Sequence, residues 1–437
     1  MIRQAERIVL FPVGAAINAR GHLMIGGCDA VDLATEFGTP LYVFDEGTIR
    51  DKIAEFKTEF GRRYRDVAIL YACKAFTNKA LLRLIAEEGL GLDVVSGGEI
   101  SIAQASGFSM ERVSFPGNNK SAGELALALE CGVGRVVVDN FDELKMLGEL
   151  AKTKSGKPDV LIRISPGVDP HTHQYEVTGS VDSKFGFPIV LGEEAVATAL
   201  SMSEINVLGL HLHIGSQITE TGPYQRAIQI ILDFAGRIKR KHGLRLQELS
   251  VGGGYPVQYT LDCPVPPVSA YAEAFASTVV SKCQELSLDL PRLVIEPGRS
   301  LVARAGVALY TAGATKEIPE VRTYVSVDGG MADNIRPALY QSRMEAVVAN
   351  KMKARIATKY TIAGKFCESG DVLIRDIELP QLSMGDILAV PGSGAYNIPQ
   401  SCNYNAFCRP GVVMVREGKA WLIRRRETIE DLMGCDV

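Results

Sequence analysis

At 437 residues the chain is too long for one average domain, and two domains, one of them an α/β barrel, would account for its length. With 46% hydrophobic and 22% charged residues it has ample material for a core, which excludes extended disorder. The formal net charge of -4 leaves no basic footprint for nucleic acid and no polybasic patch for a membrane surface.

No window reaches the length of an apolar spanning helix, and the opening MIRQAERIVLFPVGAAINARG lacks the charged, apolar and small-residue order of a signal peptide. A cytoplasmic protein is expected. The nine cysteines are odd in number and contain no CxxC pair, so neither a disulfide framework nor a structural zinc site is expected.

Residues 1–35 carry short β-like pieces such as Arg7 to Pro12, broken by Gly14, Gly21, Gly26 and Gly27. They read as a segment that joins a β domain elsewhere in the chain. From Leu41 the rhythm changes to strands alternating with helices. Eight strand-like runs follow: Val67 to Cys73, Gly91 to Ser96, Val113 to Pro116, Arg135 to Asp139, Val160 to Ser165, Val207 to Ile214, Leu249 to Gly252 and Leu293 to Glu296. Amphipathic stretches at Asn78 to Glu88, Gly98 to Ser106, Ala122 to Glu130, Asp142 to Lys152 and Pro223 to His242 separate them, so the crossovers are helical and the sheet parallel. Eight βα repeats without a reversal of strand order predict a closed (β/α)8 barrel over 36–300.

Beyond residue 300 the helical alternation fades. Val302 to Tyr310, Arg322 to Val327, Ala354 to Ile362, Val372 to Ile377, Gly385 to Val390, Gly411 to Arg416 and Lys419 to Arg424 read as strands between turns, predicting a mostly β domain, sandwich- or barrel-like, over 301–437.

Barrel enzymes place their chemistry at the carboxyl ends of the strands. There this chain has Lys74, then Asp93 with Ser96, Asn118, Arg163, His211 with His213, the Gly252–Gly253–Gly254 run, and Glu296. Lys74 closes the apolar run VAILYACKA. A buried cation there is costly unless used, as in a Schiff-base lysine, although a surface lysine at a strand end fits the stretch alone equally well. The triple glycine exposes backbone amides that suit a phosphate, with Ser216 as a candidate hydroxyl donor, but a plain tight turn would look the same. His211 and His213, two apart on a strand, share a face; a metal pair, a ring facing a planar cofactor and a hydrogen-bonded core histidine are all compatible with that. HTH at His171 to His173 sits in a loop. Glu296 beside Arg299 is either an exposed ion pair or a carboxylate for a protonated ring nitrogen. Lysine, anion cradle and glutamate together point to pyridoxal phosphate.

These residues belong to blocks that resemble, in order from about residue 40 to 428, the diaminopimelate decarboxylase family within the barrel-type pyridoxal-phosphate enzymes. The blocks are YACKA, LGLDVVSGGE, HTHQYEVTG with SKFG, HLHIGSQ, VGGG, EPGRSLVARAG, DGGMADNIRPALY, CESGD, GAYN with NYN, and RRRET. The resemblance implies that Lys74 binds the cofactor covalently, that His213 stacks on its ring and that Glu296 pairs with its nitrogen. Ser216, the Gly252, Gly253 and Gly254 turn, Pro297, Gly298, Arg299 and Tyr396 would hold the phosphate, with Asp93, Glu99 and Arg163 as polar support. It implies Arg299, Arg336, Tyr340, Glu368 and Tyr396 for the substrate, and Cys367 as a proton donor reaching the site of a second subunit, hence a homodimer with shared sites. Two arginines and a glutamate suit the far end of meso-2,6-diaminopimelate, decarboxylated to L-lysine in the last step of lysine biosynthesis. A relative acting on ornithine, arginine or carboxynorspermidine, or a non-catalytic cofactor binder, is the alternative. Tyr255 and Pro256 after the glycines, Asn397 after Tyr396, and the following IPQSC depart from the family pattern, at positions expected to edge the cofactor pocket.

Overall fold

The computed structural model describes residues 4–153, 157–169, 178 and 182–437, which group into two compact units. One comprises 53–256 and 266–298; the other takes the residues up to Lys52, 257–265 and those from Arg299 onward.

The first unit is the barrel. Its strands are Val67–Ala72, Gly91–Asp93, Val113–Phe115, Arg135–Val138, Asp159–Ser165, Asn206–His211, Glu248–Ser250 and Arg292–Ile295, all paired in parallel with their chain neighbours. The eighth pairs with the first, Leu293 opposite Val67, and that contact closes the sheet. Each of the eight runs expected from the sequence overlaps one of these strands, the last four strands starting one residue earlier than expected.

Helix starts explain why the chain turns where it does. Asn78, Ser96, Ser121 and Asn140 each cap the helix after one of the first four strands by accepting a hydrogen bond from a backbone N–H in its first turn. Ser121 also forms a capping box with Glu124. Ser96 is therefore a helix cap, a structural use of a residue that the sequence placed at the chemical end of the barrel.

In the other unit the strands run in the order Val372–Leu379, Thr358–Ala363, Arg322–Val327, Gly306–Ile318, Leu41–Asp45, Gly411–Arg416 and Lys419–Arg424; Ile387–Val390 also joins Gly306–Ile318. Phe11, Leu23, Leu33, Val43, Val307, Leu309 and Val413 form its core. Three expectations change here. Arg7 to Pro12 is not strand-like, because Gln4–Leu10 is a 3-10 helix that buries Gln4, Arg7 and Leu10. The sheet draws its early strand from Leu41–Asp45, buried at every position between two partners, rather than from residues 1–35. Arg299–Val302 forms a helical turn, so the strand expected from Val302 begins at Gly306.

Candidate active site

At the carboxyl ends of the barrel strands a buried carboxylate is the best-defined group. Glu296 follows the eighth strand and is 5% exposed. The Ser250 hydroxyl, on the seventh strand, donates to its Oε1 at 2.6 Å, and His211 Nε2, on the sixth, lies 3.2 Å from the same oxygen. Burial alone would raise the carboxyl pKa, but His211 and Ser250 outweigh it and hold Glu296 well below its ordinary value. Asp93, at the end of the second strand, goes the other way: burial and the Glu296 charge raise it against the pull of Lys74 and Arg163. Two carboxyl groups in one barrel mouth are thus split, Glu296 ionised and Asp93 inclined to keep its proton.

Lys74 lies in the single turn Cys73–Ala75 directly after the first strand, and its charge bears on Asp93, Glu99 and His213. The Ala72 N–H beneath it donates to Pro297 O at 3.2 Å, and a Cβ on Gly298 would stand 2.9 Å from Ala72 Cβ, so the Pro297–Gly298 pair presses against the strand that carries the lysine. Arg163 is buried on the fifth strand, 3.7 Å from Asp139 and stacked 4.5 Å above the Phe185 ring.

His213 and the triple glycine form one piece. The Gly253 N–H donates to His213 Nδ1 at 3.1 Å, which makes that nitrogen an acceptor and agrees with a pKa driven well below 6.5 by burial and by the Lys74 and Arg163 charges. The imidazole is neutral. A Cβ on Gly253 would meet Glu296 O at 2.3 Å and one on Gly254 the Tyr224 hydroxyl at 2.4 Å, so the run is glycine because backbone and ring approach so closely. The Gly252 N–H donates to Ser250 Oγ. With Gly253 also engaged, the Gly254 amide is the one N–H of the run without a partner among the described residues, so the cradle offers one uncommitted donor where the sequence suggested three.

The other unit holds a second cluster. Arg299 donates from Nη1 to the Tyr259 hydroxyl at 3.0 Å and lies 4.7 Å from the centroid of Tyr396, which has a left-handed backbone (φ 64°). Arg336, 3% exposed, lies over the rings of Tyr259 and Tyr340 at 5.2 and 5.3 Å, and its Nε has no partner among the described residues. A buried guanidinium with an unspent donor suits a carboxylate. Cys367 and Glu368 stand exposed on a loop anchored by Asp371, which accepts from the Phe366 and Met331 amides. Among the described residues neither side chain bonds to Arg299 or Arg336. His171 to His173 lie outside the described residues, as does most of HTHQYEVTG.

Sequence reasoning missed Ser250, Asp139 and Tyr259. The fourth strand was the one to which it assigned no chemistry, and Asp139 closes it as Asp93 closes the second; serine and tyrosine carry no comparable signal. A cavity of ≈ 460 Å³ lies at the amino ends of the strands, around Val67, Gly91, Arg135 and Glu248, and contains none of the expected site residues.

Residues 46–303 match the family model for the pyridoxal-binding domain of pyridoxal-dependent decarboxylases. The chain is 47% identical over 422 residues to the diaminopimelate decarboxylase of Bacillus subtilis, covering 96% of both, and 46% identical over 423 residues to that of Halalkalibacterium halodurans, again covering 96% of both. It belongs to the diaminopimelate decarboxylase family. A crystal structure of diaminopimelate decarboxylase from M. jannaschii with L-lysine superposes with a TM-score of 0.91 at 37% identity, covering 97% of each chain. Two of the departures from this family's pattern have a physical explanation. Tyr255 is 3% exposed and packs edge-on against Phe56 and Tyr271, centroids 5.1 and 5.5 Å away, so it backs the glycine run. Asn397 is buried and donates to the Tyr42 hydroxyl at 3.3 Å.

Proposed function

We propose that this protein is a pyridoxal-phosphate-dependent carboxy-lyase that converts meso-2,6-diaminopimelate to L-lysine and carbon dioxide. The observation that carries the reading is Glu296, a buried carboxylate kept ionised by two hydrogen-bonding neighbours in the same mouth as Lys74. The residues fit the cofactor: an anion for its ring nitrogen, a neutral imidazole for its face, a lysine to hold it and an uncommitted amide for its phosphate. The chemistry supplied by bound pyridoxal phosphate is an electron sink for the pair released when the Cα–carboxylate bond breaks.

The chain's own groups do the rest. Lys74 Nζ is the nucleophile that anchors the cofactor, and Asp93, Glu99 and Arg163 set the local charge around it. In the family reading Ser216, Gly252, Gly253, Gly254, Gly298, Arg299 and Tyr396 would hold the phosphate. Arg336, with Arg299, Tyr340, Tyr396 and Glu368, takes the charged far end of the substrate, which bears a carboxylate that ornithine lacks. Cys367, exposed in its own chain, delivers the proton to carbon in the site of a second copy, so the working unit is a homodimer. The test is carbon dioxide and lysine release from meso-diaminopimelate, ornithine and arginine, with and without added cofactor. Lysine from diaminopimelate alone, lost in Lys74→Ala, is the expected result; equal release from ornithine would overturn the substrate assignment.

A further inference from the structure

The barrel mouth holds two buried carboxyl groups, and pyridoxal phosphate, the cofactor reading on which a role for His211 rests, needs the charge on one of them. Glu296 faces Asp93 from the second strand, Arg163 from the fifth, His211 from the sixth, His213 and Tyr255 from the loops beyond. Arg163 attracts both carboxylates and cannot choose between them. The groups that bond to Glu296 alone are Ser250, at 2.6 Å, and His211, at 3.2 Å. Asp93 has nothing equivalent: its Oδ1 is buried without a partner among the described residues. Ser250 and His211 sit opposite each other on adjacent strands, so strand register aims both at one carboxylate, the serine at Oε1 and the imidazole Nε2 at Oε2, 3.3 Å away.

We propose that His211, together with Ser250, is a positioning residue that fixes the negative charge of the Asp93–Glu296 pair on Glu296 and leaves the proton on Asp93. An imidazole Nε2–H bonded to a carboxylate favours its ionised form, and two like charges in one buried site cannot both persist. This gives the histidine pair separate duties. His213 serves the ring face; His211 serves the carboxylate beneath.

Infrared spectra of the holoenzyme at neutral pH, with 13C in either the aspartate or the glutamate carboxyl groups, read where the proton is. In the parent protein the part of the protonated-carboxyl C=O band that Asp93→Asn removes should shift on aspartate labelling and not on glutamate labelling. In His211→Phe a component should appear that shifts on glutamate labelling and is absent when Glu296→Gln is added. His211→Gln, which keeps a donor, should restore the parent pattern. Ser250→Ala, which changes little volume, should move the band in the same direction as His211→Phe and serves if the latter does not fold. A band that still follows aspartate alone in both His211→Phe and Ser250→Ala would overturn the proposal. Parent enzyme with the expected band but no lysine formation would overturn the substrate reading only.

Discussion

His213 shows how a single residue can register its surroundings. Its imidazole accepts the Gly253 N–H and is held neutral by burial and by the Lys74 and Arg163 charges, so the folded chain takes up a proton there only well below the value near 6.5 that the unfolded chain uses. Between those values the unfolded state binds more protons. Stability therefore rises with pH up to about 6.5 and falls as pH drops below it, by at most about 1.4 kcal/mol per pH unit for one group. Asp93, whose carboxyl is raised, contributes with the opposite sign, stabilising at low pH and less so as pH rises, so the difference between parent and His213→Gln isolates the histidine. Urea midpoints measured from about pH 5 to about pH 7 should diverge below 6.5, the parent losing stability relative to the variant as pH falls. Parallel curves would mean that His213 titrates normally. At this scale the sequence was a good guide to residue types that charge or react, such as Lys74, Asp93 and Glu296. It was poor for Ser250 and Tyr259, whose roles exist only because other strands bring Glu296 and the arginines to them.

Among the elements, the connection after the third barrel strand is tied to the helix after the fourth, Phe141–Ala151, by a buried ion pair. Lys120 donates to Glu143 at 2.7 Å and to the carbonyls of Gly117 and Val137 at 2.8 Å, and both side chains are almost inaccessible. The Glu143 carboxylate also accepts the Asp139 amide, so the pair steadies the residue that faces Arg163. Lys120→Met would strand a buried carboxylate and should cost about 3–5 kcal/mol in urea unfolding, while Lys120→Met with Glu143→Leu should recover much of that loss. If the double variant is no more stable than the single one, the pair is not the source of the cost. Caps and apolar spacing made five of the barrel helices legible in advance. Ile189–Ser201 and Val268–Leu286 escaped: both follow a proline with no side-chain cap, and the first buries mostly small residues, Gly192, Ala195 and Ala199, while its Val190 points to solvent, 83% exposed.

For the whole molecule, the barrel was legible because closure by eight parallel strands leaves a repeating pattern of apolar run, cap and helix, whereas the β unit is assembled from three stretches of chain that no local pattern connects. Leu41–Asp45 illustrates the difficulty: it falls inside the range expected for the barrel, where the strand–helix alternation begins, yet lies between Gly306–Ile318 and Gly411–Arg416. The exposed loop of Cys367 and Glu368 bears on assembly. Its backbone is fixed, since Asp371 holds the Phe366 amide at 2.9 Å and Asn405 accepts the Cys367 amide at 2.8 Å, yet the Cys367 and Glu368 side chains are exposed in their own chain. A held loop presenting an exposed thiol and carboxylate fits a two-fold assembly in which each copy completes the other's site. Lys74→Ala and Cys367→Ala should each be nearly inactive alone. Unfolded together and refolded as a mixture, half of the dimers would pair one variant with the other and carry one intact site of two. Activity should then return to about one quarter of the parent value, and dilution until the dimers separate should abolish it. A mixture as inactive as its components would show that Lys74 and Cys367 serve the site of the same chain.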